Sequence, residues 1–152
     1  MKSPPTNTGM LLTKINYLYA SWTGTAILLI SGLLATAFES MESFYAAISL
    51  GIFAIGVLLC ALAFGRSLEK SRYLIVTTGD LFLLSTSFPR RIRIWLWSSF
   101  AVNLVTGIVL AGITTSTNFA FGILASVYPL GNVNMWAISH GSYRERTNTS
   151  NN

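Results

Sequence analysis

Four long apolar segments are the feature that most limits what this chain can fold into. Each is about 20 residues long or longer, which is the length that an α-helix needs to cross the hydrocarbon core of a bilayer. Only 10% of the residues are charged and 52% are hydrophobic, whereas about a quarter of an average soluble domain is charged. The sequence therefore predicts an all-α membrane protein. We place its four transmembrane helices at residues 15–38, 44–64, 94–113 and 119–138.

Two short polar turns indicate how these helices pair. Residues 39–43 contain Glu39 and Glu42 but no base, and residues 114–118 carry no charge. Connections this short join antiparallel neighbours. We therefore expect two antiparallel helical hairpins, with both turns outside the cell.

The long connection at residues 65–93 fixes the expected orientation. It contains six of the ten Lys and Arg residues, and such residues are concentrated in cytoplasmic loops. The chain is then a multi-pass protein of the cell membrane with both termini cytoplasmic. Residues 1–14 form a disordered tail, residues 15–138 the four-helix transmembrane domain and residues 139–152 a second cytoplasmic tail.

The basic residues next to the spans point to a membrane surface as their partner. The formal charge of +5 would suggest nucleic acid in a soluble protein, but bases that flank apolar spans favour anionic lipid headgroups, and we expect no nucleic acid. A second membrane protein or another copy of the chain could bind the same face. The residues that we expect to face lipid or a partner are Arg66, Lys70, Arg72, Arg90, Arg91, Arg93, Trp136 and His140.

The middle of the connection is too apolar for a simple linker. Residues 73–77 and 81–85 are rich in strand-forming side chains and are separated by a turn that contains Gly79, which is a hairpin pattern. An interfacial helix at residues 80–84 is the alternative. In either form this cytoplasmic element should lie against the headgroups or cap the bundle. Pro89 then predicts the start of the third helix.

Three amides lie within the spans, namely Asn103, Asn132 and Asn134. An amide in hydrocarbon is costly unless it is paired, so each should face the bundle or water. Hydrogen bonds between helices are one explanation, and a small polar cavity open to the cytoplasm is the other. Pro129 adds an interrupted helix, because its ring frees the carbonyl near Ala125.

Small residues on the second span predict close helix packing. Ala47 and Gly51 have the four-residue spacing of small residues that lets two helices approach, and Gly56 and Ala63 extend the small surface.

Motifs for catalysis, metal binding or nucleotide binding are absent from the sequence. Cys60 is the one cysteine, so neither a disulfide within the chain nor a thiolate metal site can form. His140, the one histidine, could relay protons but is better explained as an interfacial residue at a helix end. We expect no enzyme, no catalytic residue, no metal and no cofactor.

Several stretches of the second half form a further pattern: Arg72-Tyr73, Gly79-Asp80-Leu81-Phe82-Leu83-Leu84, Phe88-Pro89-Arg90-Arg91, Phe119-Ala120-Phe121-Gly122-Ile123-Leu124 and Trp136-Ala137-Ile138-Ser139-His140-Gly141. This pattern resembles that of small uncharacterised four-span integral membrane proteins of actinobacteria. The chain departs from it at Ser87-Phe88, which replaces a small residue before Pro89, and at Ser139, which replaces an arginine. The resemblance implies a bacterial inner-membrane protein without a known activity. It also implies that the loop before Arg91 and the end after Trp136 act together on one face.

These observations favour an accessory or partner-binding membrane subunit that acts through its basic cytoplasmic face. The alternative is a small transporter or channel, as an oligomer, with a polar pathway near Asn103 and Asn132.

Overall fold

Helices make up nearly all of the part of the chain that the structure describes. That part of the computed structural model comprises residues 7–72, 74–75, 79, 82, 89–114, 116–140 and 144–145. The helices are α1 (Asn7–Ala37), α2 (Glu42–Ser71), α3 (Arg90–Ile113), α4 (Phe121–Leu124) and α5 (Val127–His140). Turns of 3₁₀-helix precede α2 (Glu39–Met41) and α4 (Thr117–Ala120), and two short strands are present, β1 (Leu74–Ile75) and β2 (Arg144–Glu145).

Three helices in the described part are long and apolar enough to cross a membrane: Asn16–Ala37, Glu39–Ser71 and Arg90–Ile113. Their outer surfaces carry large apolar side chains, for example Leu33 (65% exposed), Leu58 (58%) and Ile113 (70%). A soluble protein seldom leaves so much apolar surface in water. The helical, multi-pass membrane character predicted from the sequence is therefore confirmed at this level.

The predicted fourth span is an interrupted helix. The chain turns at Ala125 and Ser126 between α4 and α5, and α5 alone has 14 residues, a rise of roughly 21 Å. Pro129 accounts for the break, because it has no N–H to donate and its ring crowds the carbonyl four residues earlier. That carbonyl, of Ala125, accepts the N–H of Tyr128 at 3.1 Å. The Ser126 hydroxyl instead donates to the carbonyl of Ile123 at 2.7 Å.

Helix α5 is the centre of the bundle. Nine of its residues between Pro129 and Ile138 are buried, because α1, α2 and α3 pack around it. The closest approach is to α2: a Cβ at Gly56 would lie 2.5 Å from the Tyr128 nitrogen, and one at Gly131 would lie 2.7 Å from the Gly56 carbonyl oxygen. Glycine at both positions lets the two backbones touch.

The small residues of α2 divide into two faces. Gly56 and Ala63 are buried, as the predicted close packing requires. Ala47 and Gly51 are exposed, and a Cβ at Gly51 would meet nothing within 4 Å. The pair predicted to pack against another helix does not do so within the described part of this chain, because α5 crosses α2 on the face of Gly56.

Helix α2 continues beyond the predicted membrane boundary. We predicted a loop from residue 65, but the helix ends at Ser71, so Arg66 and Lys70 lie in its last turns. Helix α3 begins at Arg90, and the preceding Pro89 carbonyl accepts the N–H groups of Ile92 and Arg93 at 3.1 and 3.2 Å. Hydropathy marks where the membrane ends, whereas a helix continues until its backbone pairing stops.

Part of the central connection pairs with the C-terminal tail. Strands β1 and β2 are antiparallel, with Leu74 opposite Glu145 and Ile75 opposite Arg144. Most of the residues predicted to form a local hairpin or an interfacial helix lie outside the described residues. Nearby, the Trp97 indole Nε1 donates to the Phe82 carbonyl at 3.2 Å, so the connection also contacts α3.

Candidate functional site

One end of the bundle brings together α1 near Tyr17, the end of α2, the start of α3 and the end of α5. The Tyr17 and His140 rings lie 6.0 Å apart, Lys70 reaches Ile138, and Leu96 packs in one cluster with Trp136. We call residues 66–72, 90–96 and 136–140 the basic end. All eight residues predicted to face lipid or a partner lie within it.

Lys70 joins α2 to α5. Its Nζ donates to the carbonyl of Ile138 at 2.5 Å, in the last turn of α5, where carbonyl oxygens lack helical donors and a cation is stabilising. One turn earlier on α2, Arg66 Nη1 lies 3.8 Å from the sulfur of Met135. These contacts hold the two helix ends side by side.

An open pocket of about 620 Å³ lies between these two helix ends. It is lined by Arg66, Glu69, Lys70, Ile138 and Ser139. Arg66, Glu69 and Ser139 are exposed, and Lys70 is half-buried. Ile138 is buried, so the pocket presents positive, negative and hydroxyl groups, which suit a polar peptide segment better than an apolar ligand.

The remaining arginines of the basic end flank the central connection, Arg72 before it and the others after it. Arg72 follows the end of α2 and is exposed. Arg90 and Arg91 are exposed in the first turn of α3, and Arg93 is half-buried; that turn contains no acid. Cations at a helix N-terminus oppose the helix dipole, so these arginines do not stabilise α3.

Trp136 lies in the core of the basic end, and the half-buried His140 packs against it. Trp136 is 2% exposed and packs with Leu96, Val133 and Ala137. The Trp136 ring stacks on the His140 ring, with centroids 5.4 Å apart. The Tyr17 ring contacts the His140 ring edge-on. The structure thus buries Trp136 among helices, so its ring is not part of the exposed surface of the basic end.

A second polar region lies inside the bundle, between α1 and α3. Asn103 is fully buried, and its Nδ2 donates to the Thr25 hydroxyl at 3.2 Å. The Ser99 hydroxyl lies 2.8 Å from that of Ser21 and 2.9 Å from that of Thr25, and Thr25 donates to the Ser21 carbonyl at 3.0 Å. We call Ser21, Thr25, Ser99 and Asn103 the hydroxyl cluster.

The three amides predicted as a polar site do not meet. Asn103 bonds across to α1, Asn132 donates to the Tyr128 carbonyl of its own helix at 3.2 Å, and Asn134 Nδ2 lies 3.7 Å from the Cys60 sulfur of α2. Within the described part of the chain, the buried Oδ1 atoms of Asn103 and Asn134 have no hydrogen-bond partner. Asn103 and Asn134 therefore contact neighbouring helices, whereas Asn132 is bonded within α5.

Sequence reasoning missed the three hydroxyl side chains that join Asn103 in the hydroxyl cluster, of which Thr25 accepts its hydrogen bond. Their signal was present: Ser21 and Thr25 are four residues apart in one span, as are Ser99 and Asn103 in another. Residues four apart share a helix face, so each span offered one polar face. Which polar faces meet depends on how the helices pack, and a single sequence does not record that.

Among the described residues, no group of three or more His, Cys, Asp or Glu side chains could hold a metal ion. Comparisons of the chain with protein-family models, curated proteins and solved structures find no match.

Proposed function

We propose that this chain is a non-enzymatic accessory subunit that binds another membrane protein through its basic end. All four apolar segments would cross the bilayer. The interrupted fourth segment would be surrounded by the other three. The basic end and both termini would lie in the cytoplasm. Such a topology is that of a bacterial inner-membrane protein, as the sequence pattern of the second half implies.

Charge distribution supports this orientation. Six Lys and Arg residues with described side chains lie at the basic end, whereas the opposite end carries Glu39 and Glu42 near the start of α2. Lys and Arg are retained on the cytoplasmic side. Acids at the start of α2 also complement its dipole.

The observation that carries the proposal is that contacts between residues distant in sequence hold the basic end together. A chain that only crosses the membrane needs short turns, and the opposite end has little more than the two 3₁₀ turns. At the basic end, Lys70 ties α2 to α5, and β1 pairs with β2 across about half the sequence. A surface held by such distant contacts is suited to binding a partner.

The pocket between α2 and α5 is where we expect the partner to contact the chain. Arg66 and Glu69 are exposed there and can form ion pairs or hydrogen bonds with a peptide, and the exposed Ser139 adds a hydroxyl. Exposed charged and polar groups of this kind are typical of the rim of a protein interface.

Site-specific photo-crosslinking in native membranes tests this proposal. A crosslinking amino acid replaces Glu69 or Ser139 in the pocket. In the matched control it replaces Ser40, which is exposed at the opposite end. We expect one discrete protein adduct from the two pocket positions and none from Ser40. The adduct should weaken when Arg66→Glu reverses the neighbouring charge. Identical adducts from all three positions, or none from the pocket, would refute partner binding at this end.

Transport is the second candidate, and the interrupted fourth segment is the observation that favours it. Broken helices inside membrane bundles often hold substrates or ions at mid-depth. Here, however, the amide nitrogens of Asn103 and Asn132 are already bonded to Thr25 and to the Tyr128 carbonyl. Both residues are almost fully buried, so a solute could reach them only after the helices separate.

A further inference from the structure

A groove between α1 and α3 lies on the membrane-facing side near the basic end. Leu18, Tyr19, Trp22 and Trp95 line it, and its volume is about 290 Å³. The Trp22 and Trp95 rings meet edge to face, with centroids 5.7 Å apart. Tyr19 is 70% exposed and Trp95 50%. Tyr and Trp at this level of a helix are typical of the interface between hydrocarbon and headgroups.

An arginine lies one helical turn from the groove on the same side of α3. Arg91 and Trp95 are four residues apart and so share a helix face, with Arg91 roughly 6 Å nearer the helix start. Arg91 is exposed. Long side chains lean toward the N-terminus of their helix, which carries the guanidinium away from the hydrocarbon. Helix spacing therefore places a cation just outside the residues that line the groove, toward the start of α3.

The electrostatics favour an anion here over the pocket of Arg66. At the start of α3, three arginines and the positive end of the helix dipole coincide, and the first turn contains no acid. The Arg66 pocket lies instead where two helices end, beside Glu69. The negative helix ends and that carboxylate offset much of the charge of Arg66 and Lys70.

We propose that this groove binds one anionic phospholipid, with its phosphate on Arg91 and its glycerol and upper acyl chain against Tyr19, Trp22 and Trp95. The groove supplies apolar and aromatic contact, and the arginine supplies the charge that selects an anionic headgroup over a zwitterionic one. The inference rests on one part of the proposed function, the orientation that turns the basic end toward the anionic cytoplasmic leaflet. It does not require a protein partner.

Native mass spectrometry of the full chain in detergent tests the site, with phosphatidylglycerol and phosphatidylcholine as probes. We expect tighter binding of phosphatidylglycerol, and a loss of about fivefold in its affinity in Arg91→Gln, since each basic residue near a membrane surface contributes about that factor. Trp95→Ala should weaken both lipids. Arg72→Gln removes the same charge from the end of α2, which does not line the groove, and should weaken binding less than Arg91→Gln does.

Three outcomes overturn the lipid site. They are equal binding of both lipids, equal losses of phosphatidylglycerol affinity in Arg91→Gln and Arg72→Gln, and complete displacement of phosphatidylglycerol by inorganic phosphate. The first two would indicate diffuse charge, and the third a site for free phosphate.

Labelling of Ser139→Cys from the cytoplasmic side, in a Cys60→Ser background, separately checks the orientation. Correct orientation without lipid selectivity would refute this site and leave the proposed function standing.

Discussion

The side-chain amide of Asn103 donates to the hydroxyl of Thr25, 3.2 Å away, and so links α3 to α1 inside the bundle. Such bonds in membrane proteins contribute about 0.6 kcal/mol on average and about 1.7 kcal/mol at most. This one is part of the hydroxyl cluster, in which Thr25 also contacts Ser99. It is therefore a modest but specific connection between two helices that are far apart in sequence.

A double-mutant cycle on this pair should give a coupling energy of about 0.6 kcal/mol or somewhat more. Thr25→Val removes the hydroxyl at nearly constant volume, and Asn103→Leu removes the amide. The measurement is the free energy of unfolding in mixed micelles titrated with a denaturing detergent. Thr23→Val is the matched control, because Thr23 is exposed and bonds only to the Tyr19 carbonyl of its own helix. Coupling of the same size with Thr23 would contradict the interhelical bond.

Gly56→Ala should destabilise the protein by about 1–3 kcal/mol, the usual cost of overpacking. The added methyl would meet the backbone of Tyr128, with its nitrogen at 2.5 Å and its Cα at 2.6 Å, and backbone cannot move aside as a flexible side chain can. Gly51→Ala is the control: its methyl meets nothing within 4 Å, and alanine is the better helix former by about 1 kcal/mol. Thermal unfolding in detergent compares the two. A Gly56→Ala variant as stable as Gly51→Ala would refute the close contact of α2 with α5.

The helical spans could be predicted because a bilayer imposes a minimum length of apolar sequence. The end of α2 could not be predicted in this way. Polarity rises at Arg66, but residues 67–70 are compatible with helix and nothing interrupts the backbone before Ser71. Likewise, Pro129 indicated an interrupted helix, but only the structure locates the turn at Ala125 and Ser126.

Contacts between residues that are distant in the chain could not be predicted from the sequence pattern. Residues 73–77 looked like half of a local hairpin, whereas Leu74 pairs with Glu145 in the tail. Strand pairing depends on which edge is available in three dimensions, and a single sequence does not record that. The burial of Trp136 is a similar case, because an aromatic residue near a membrane boundary can equally face lipid or fill a core.

Strand pairing at the basic end should allow a disulfide between Leu74→Cys and Glu145→Cys. Directly opposed residues of antiparallel strands have Cα atoms about 4.5–5.5 Å apart, within the range that a disulfide spans. Both cysteines enter a Cys60→Ser background, in which the new hydroxyl can still accept the Asn134 bond. Mild oxidation should crosslink this pair, detected as a mobility shift reversed by reductant. Leu74→Cys with Ser40→Cys, at opposite ends of the bundle, should stay reduced. Equal crosslinking of both pairs would contradict the observed register.

Chemical access to position 103 distinguishes the accessory subunit from a transporter. In the Cys60→Ser background, Asn103→Cys should not react with a membrane-impermeant maleimide added to either side, because Asn103 is fully buried between α1 and α3. Ser139→Cys, exposed at the basic end, should react from the cytoplasmic side and shows that the reagent is active. A denaturant should expose both positions equally, which confirms that the thiols are free. Labelling of Asn103→Cys in intact membranes would mean that water reaches the hydroxyl cluster, and transport would then become the better account of the interrupted fourth segment.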